Sequence, residues 1–319
     1  MSHKIAEGTT VSTNKLTDWL VYLAVRVFIC AVQSLRLETC QTVSRWLAFV
    51  AADVVRLRGS VATDNLKNVF PELSRGEQKR LIRRMWEHLF LMVCEIAHAP
   101  RRVHRRNWHE HVSFNDKRAI VRWLFDPRAS IVVSAHFGNF EMGSYITGML
   151  GFPNFIIARK LDNLYLDAFV ARFRRANGQY VLPKEGSAPQ VQKVLENGWG
   201  LALLGDQYAG PKGCWVEFLG RPASCHKAIA LFPLTSGAPL LVISALRQRN
   251  RPLQFCCDLL GAVDPHDSPP ECANVTTLTQ WYNDCLGRAI RAHPEQYWWV
   301  HRRWKGTPPR RLRLPAKAA

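Results

Sequence analysis

Apolar and polar positions change period along this chain. From residue 129 onward, short runs of β-branched and apolar residues alternate with longer stretches in which apolar residues recur every three or four positions. SIVVSAH (130–136) and NFIIARK (154–160) read as strands separated by a helix over 139–150. A helix over 166–178 follows, with Gly178 placed to end it, then a strand near YVLP and a helix over 187–197. Strand GLALLGD, a glycine-bearing loop over 209–213, strand WVEFLG, a helix over 224–236 and strand APLLVISALR continue the pattern. LQFCCDLL (253–260) reads as a further strand, and a long helix over 271–292 closes the series. Strands that alternate with helices predict an α/β fold, and active groups in such sheets gather beyond the strand C-termini.

The first hundred residues are helical in pattern. LTDWLVYLAVRVFICAVQSL (16–35) is strongly apolar but carries Asp18 and Arg26. It lacks the unbroken apolar run and cleavage site of a secretory signal, and a mid-segment arginine is costly in a spanning helix. A helix lying in the membrane interface, with Trp19 and Tyr22 as anchors, fits better. A second apolar helix over 40–57 follows; two core helices of a soluble domain are the alternative. Beyond Gly59 two more helices are expected, the first capped by Thr63 or Asp64 and ended at Pro71, the second opened by a Ser74–Glu77 capping box. The predicted organisation is a membrane-associated helical segment over 1–58, one domain over 59–309 and a loose basic tail over 310–319.

Composition adds an electrostatic constraint. Among 319 residues, 43 Lys plus Arg outweigh 25 Asp plus Glu, a net charge of +18, so the partner is anionic: nucleic acid, a membrane surface or an acidic protein. The basic residues are scattered and no helix-turn-helix, RRM or zinc pattern appears, which argues against nucleic acid. The nine cysteines form no C-x-x-C pair and suit a reducing compartment. No metal or other cofactor is called for.

One stretch asks for a chemical explanation. SAHFGNFEMG (134–143) ends a strand in His136, then supplies Gly138, Asn139 and Glu141. Asn139 can cap the next helix, with Glu141 in its first turn. On one continuous helix, five residues correspond to about 140° of rotation, so His136 and Glu141 would diverge. A turn at Gly138 can fold the imidazole back over the helix start and create a base with a nearby carboxylate. A satisfied core histidine and a glutamate favoured by the helix dipole would explain the same residues.

Four further stretches bear on that choice. SAHFGNFE, ARKLDNLYLDAFVARFRRANG, LLGDQYAGPKGCWVEFLGRPAS and QYWWVHRRWK, in this order and spacing, resemble the bacterial lipid A biosynthesis lauroyl/myristoyl acyltransferases. These belong to the wider glycerolipid acyltransferase group with an H-x4-D/E motif. The resemblance covers about residues 15–308 and implies one acyltransferase domain with a central mixed sheet, preceded by N-terminal hydrophobic helices, on the cytoplasmic face of the bacterial inner membrane. It implies acyl transfer from a thioester, on acyl carrier protein or coenzyme A, to a glycolipid hydroxyl. His136 would be the base and Glu141 its motif partner, with Asp206 and Glu217 as further candidate carboxylates; the choice among the three stays open. Arg159, with Lys160, falls in the segment that resembles an acceptor-binding motif, and a guanidinium there suits phosphate or an oxyanion. Gln207 and Arg221 are further candidate substrate contacts. His301, Arg302 and Arg303, beside Trp298, Trp299 and Trp304, could meet lipid phosphates or form a solvated basic face. Another lyso-lipid, a glycosylated phosphoinositide, or a non-catalytic basic membrane adaptor are the competing readings.

Overall fold

The computed structural model describes residues 15–309. Its centre is a seven-stranded mixed sheet built from β1 (Val112–Phe114), β2 (Ile131–Ser134), β3 (Asn154–Ala158), β4 (Gln179–Pro183), β5 (Gly200–Leu204), β8 (Leu240–Arg247) and β9 (Phe255–Val263), in the order β1-β9-β8-β2-β5-β3-β4. Every neighbouring pair is parallel except β8–β9. The intervening helices α5 (Lys117–Leu124), α6 (Phe140–Met149), α7 (Leu164–Ala176), α8 (Ala188–Glu196), α9 (Ala228–Ser236) and α10 (Val275–Ala292) supply the crossovers and cover the sheet. β6 (Cys214–Phe218) and β7 (Arg221–Cys225) form a separate antiparallel hairpin.

The two faces of β2 differ, and the difference locates the site. Ile131, Val133 and Ala135 are fully buried and pack with Leu201, Ile229, Leu278 and Tyr282. Val132 and Ser134, on the opposite face, are only half-buried. Strand alternation makes this a face-by-face contrast: one face is close-packed and the other borders open space.

Among the described residues four α-helices precede the sheet: α1 (Lys15–Ser34), α2 (Leu37–Phe49), α3 (Gly59–Val69) and α4 (Arg75–Arg102). The capping box forms as its sequence predicts. Ser74 Oγ accepts from Glu77 N and Glu77 Oε2 accepts from Ser74 N. The helix expected over 40–57 begins earlier and leaves α geometry at a π-helical turn, Val50–Val54. The helix after it is capped by Arg58 and not by Thr63 or Asp64: Arg58 takes a left-handed conformation (φ 50°) and turns the chain into α3 at Gly59, five or six residues sooner. Thr63 and Asp64 therefore lie inside the helix. The helix expected from 224 begins at 228, since residues 221–225 pair with β6. β1 and α5 fall in a stretch given no element from sequence. None of the nine cysteines is disulfide-bonded. The expected tail over 310–319 lies outside the described residues.

In α1 only Val32 is buried, while Trp19, Leu20, Leu23, Val27 and Phe28 are exposed. It is long and apolar enough to cross a membrane by length and composition. One side of it packs on α4 and α7, where Tyr22 meets Tyr165 and Phe169 and Arg26 lies over the Phe169 ring at 5.0 Å.

Candidate active site

β2 and β5 are paired in parallel with Ser134 opposite Leu204. Two residues beyond that pair on each strand stand His136 and Asp206, so the register alone sets them side by side at the C-terminal edge of the sheet. Asp206 Oδ1 lies 2.9 Å from His136 Nδ1, and Asp206 Oδ2 accepts the backbone N–H of His136 at 3.1 Å. A carboxylate can only accept, so the imidazole carries its proton on Nδ1 and keeps a lone pair on Nε2. Asp206 is fully buried and His136 nearly so.

The electrostatics of the pair are mutual. Burial is the largest influence on His136 and pushes its pKa down, yet the charge and hydrogen bond of Asp206, with a smaller contribution from Glu141, carry it above the ordinary value. For Asp206, burial alone would raise the pKa; His136 outweighs it and holds the carboxyl below the usual range.

The turn after His136 depends on glycine. Gly138 has φ 62°, and a Cβ there would collide with the Ala245 carbonyl. Asn139 Oδ1 accepts from Met142 N at 3.2 Å and caps α6, as its place in the sequence predicts. The His136 ring is framed by Phe140, Trp298 and His301, with centroids 4.8–5.1 Å away.

The other candidate residues separate into those near this pair and those away from it. Glu141 makes no hydrogen bond to His136. α6 turns its carboxylate toward α7, where it meets Arg174 at 2.6 Å. Gln207 follows Asp206 and brings its amide nitrogen to 3.5 Å from His136 Nε2. Arg159 stands exposed at the rim, paired with Asp162 at 2.7 Å. Lys160 beside it is exposed and does not line the site. Glu217 is on the β6–β7 hairpin, exposed, with its backbone N–H donated to Gln280. Arg221 lies over the Trp304 ring at 5.2 Å and 3.9 Å from Asp64, outside the cavity that receives His136. Arg302 is exposed, but Arg303 is buried and donates to Ser224 O and Cys225 Sγ at 2.7 and 2.9 Å, so it is no part of a solvated face.

A cavity of about 830 Å³ opens at His136. It runs along β2 past Ser134 and Val132 to Ser130, a span of about 20 Å at strand rise. Trp123, Ile146, Leu150, Ile156, Ala202 and Ile243 give it apolar walls, while Arg159, Arg174, Lys184, His226 and Gln207 also border it. An elongated apolar cavity with the His136–Asp206 pair at one end and cations around it suits a long hydrocarbon joined to a polar, anionic head.

A sequence model of the bacterial lipid A biosynthesis acyltransferases matches residues 7–306. The chain belongs to this family. It is 25% identical over 300 residues to the lipid A biosynthesis lauroyltransferase of Escherichia coli (strain K12), a match that covers 91% of this chain and 92% of that one. Identity to the lipid A biosynthesis palmitoleoyltransferase of the same organism is 23%, covering 91% and 92%. Identity to the lipid A biosynthesis acyltransferase of Haemophilus influenzae is 24%, covering 82% of each chain. The His136–Asp206 pair and the cavity lie within the stretch that matches the family, which is almost the whole chain.

Two features of this candidate site had no sequence signal. In sequence Arg174 is one of two adjacent arginines near a helix C-terminus, and only the packing of α7 on α6 shows that it engages Glu141. The cavity is a property of half-buried strand faces, which read in sequence as plain sheet interior.

Proposed function

We propose that this acyltransferase moves a fatty acyl chain from acyl carrier protein to a hydroxyl of a lipid A precursor, with His136 as general base. The observation that carries the reading is the Nδ1–Asp206 bond, which leaves the Nε2 lone pair of His136 at the head of the long apolar cavity. The acceptor hydroxyl gives its proton to Nε2 as its oxygen attacks the thioester carbonyl carbon. The tetrahedral intermediate then collapses, the C–S bond breaks, and the imidazolium returns the proton to the departing sulfur. Asp206 stabilises the imidazolium while it exists. The Gln207 amide is placed to hold the reacting oxygen, and no acyl-enzyme is required.

The rest of the site divides between the two substrates. The apolar cavity takes the donor chain. Arg159, Lys184 and Arg174 give the acceptor phosphates charge-assisted partners. The exposed faces of α1 and of the Leu161–Leu164–Tyr165 stretch beside it form a surface for the bilayer, next to the arginine at the rim. Val27→Glu with Phe28→Glu should release the protein from anionic liposomes in a flotation assay. Unchanged flotation would remove α1 from the membrane surface.

The reaction is tested by incubating detergent-purified enzyme with a lipid A precursor and acyl carrier protein or coenzyme A thioesters, then mass-mapping the lipids. Acylation of the precursor from the carrier supports the proposal. Acylation confined to a lyso-glycerolipid or a glycosylated phosphoinositide would reassign the acceptor.

A further inference from the structure

Behind the turn that follows His136 lies a buried charge network that plays no direct part in the chemistry above. Arg247, on β8, meets Glu95, on α4, through two parallel bonds of 2.7 and 2.6 Å, and both side chains are almost completely buried. A third guanidinium nitrogen stands 2.7 Å from His88 Nδ1. Arginine can only donate, so His88 accepts at Nδ1 and its proton sits on Nε2. That N–H points to the carbonyl of Gly138 at 3.1 Å. Glu95 also accepts from the Asn139 side chain at 3.0 Å. Burial first, and then the Arg247 charge, push the His88 pKa well below its ordinary value, in keeping with the neutral tautomer.

Both ends of this network finish on the turn that carries His136. Gly138 and Asn139 are also fixed through their own N–H groups, by Gln296 O at 3.0 Å and Ala245 O at 2.8 Å. A buried ion pair is a poor way to stabilise a fold, because apolar side chains of the same volume would join α4 to β8 equally well or better. What the ion pair supplies is direction. It fixes one histidine tautomer and one orientation of Asn139.

We propose that His88, Glu95 and Arg247 are positioning residues for acyl transfer: they hold the Gly138–Asn139 turn so that His136 Nε2 faces the acceptor hydroxyl. The assignment rests on His136 being the base. None of the three touches the cavity. Their effect passes through the backbone of the turn, so it falls on turnover and not on binding of either substrate.

The test uses the full chain in detergent with a lipid A precursor and lauroyl acyl carrier protein. His88→Asn keeps an acceptor near Nδ1 and loses the bond to Gly138, whereas the amide nitrogen of His88→Gln reaches the Nε2 position. His88→Asn should lose about 100-fold in kcat with both KM values nearly unchanged, a loss of the size that small misplacement of a reacting group produces. His88→Gln should recover most of that loss. The double variant Glu95→Leu/Arg247→Met removes both charges together, so no unpaired charge is buried; the Asn139 amide, Leu253 N–H and His88 Nδ1 lose their partners, and it should still fold, with a lowered Tm, and lose kcat. It decides the matter if His88→Asn does not fold. Wild-type kcat in the double variant, or equal losses in His88→Asn and His88→Gln that follow Tm, would overturn the positioning role. His136→Ala, run alongside, separates the two claims: inactive His136→Ala with fully active network variants ends the positioning role alone, and active His136→Ala ends both.

Discussion

Asp206 holds His136 at two points, the ring Nδ1 and the backbone N–H, through its two carboxylate oxygens. The ring cannot rotate without breaking the first bond, and the strand end cannot shift without straining the second. Glu141, the acidic residue closer in sequence, has no such bond and is held by Arg174.

The two carboxylates should therefore respond differently to neutralisation. Asp206→Asn removes the acceptor that fixes the tautomer and stabilises the imidazolium, and should lower kcat by about 10²- to 10⁴-fold. Glu141→Gln keeps the shape at the α6–α7 contact but leaves Arg174 unpaired, and should cost about tenfold or less in kcat. Steady-state kinetics on both variants would reveal the reverse order if Glu141 were the partner of the base.

The choice between Asp206 and Glu141 shows where sequence reading stops. The family resemblance makes Glu141 the motif partner and leaves Asp206 and Glu217 as further candidates. What joins His136 to Asp206 is the Ser134–Leu204 register between strands seventy residues apart, and no local pattern encodes it. The strand and helix series from 130 onward was legible because apolar periodicity is local, and so was the Asn139 cap. β7 was not, because Arg-Pro-Ala-Ser-Cys contains no apolar run and owes its strand form to pairing with β6. His88, Glu95 and Arg247 were equally silent. Charged residues on an amphipathic helix and at a strand end suggest solvent, and only the packing of α4 against β8 buries them.

The pH dependence follows from the shifts of the pair. A general base must be neutral, and the His136 pKa lies above the ordinary value of about 6.5. The acid limb of kcat/KM should therefore lie above that value. In Asp206→Asn the burial that lowers the pKa remains and the larger charge that raises it is gone, with only the smaller Glu141 contribution left, so the limb should move to lower pH even as the rate falls. Stability follows with opposite signs on the two partners. The raised His136 contributes fully below its unfolded pKa and loses that contribution as pH rises through the folded one. The lowered Asp206 contributes above its unfolded pKa and loses it as pH falls through the folded one. The pair should thus stabilise the fold most between about pH 4 and 6.5. Profiles of kcat/KM for both enzymes check the kinetic claim, and an acid limb unmoved by Asp206→Asn would refute it.

The cavity carries a prediction about the donor chain. Ala202, on β5, lines it midway along, beside Val132 and Ile156. Ala202→Phe should fill the space and exclude the distal carbons of a long chain. Each methylene denied burial forfeits about 0.8 kcal/mol, roughly fourfold in kcat/KM. The variant should thus shift preference toward shorter acyl donors in a competition assay read by mass spectrometry. Equal loss for short and long donors would place the chain elsewhere.

The net charge of +18 bears on the donor carrier. A small acidic carrier protein would be steered by this surface, and its on-rate would fall as salt rises. The Debye length shrinks to about 8 Å at physiological ionic strength. In neutral detergent micelles, kcat/KM with the carrier thioester should fall more steeply with salt than with the coenzyme A thioester. Parallel losses would assign the basic surface to the membrane or the acceptor.

The central claim is that His136 takes the proton of the acceptor hydroxyl, and the most direct measurement is the single-turnover rate of His136→Ala beside its Tm. With Tm near that of the wild type, transfer should fall by about 10³-fold or more, within the range by which a positioned general base contributes. A rate within about threefold of wild type in a folded His136→Ala enzyme would contradict the account.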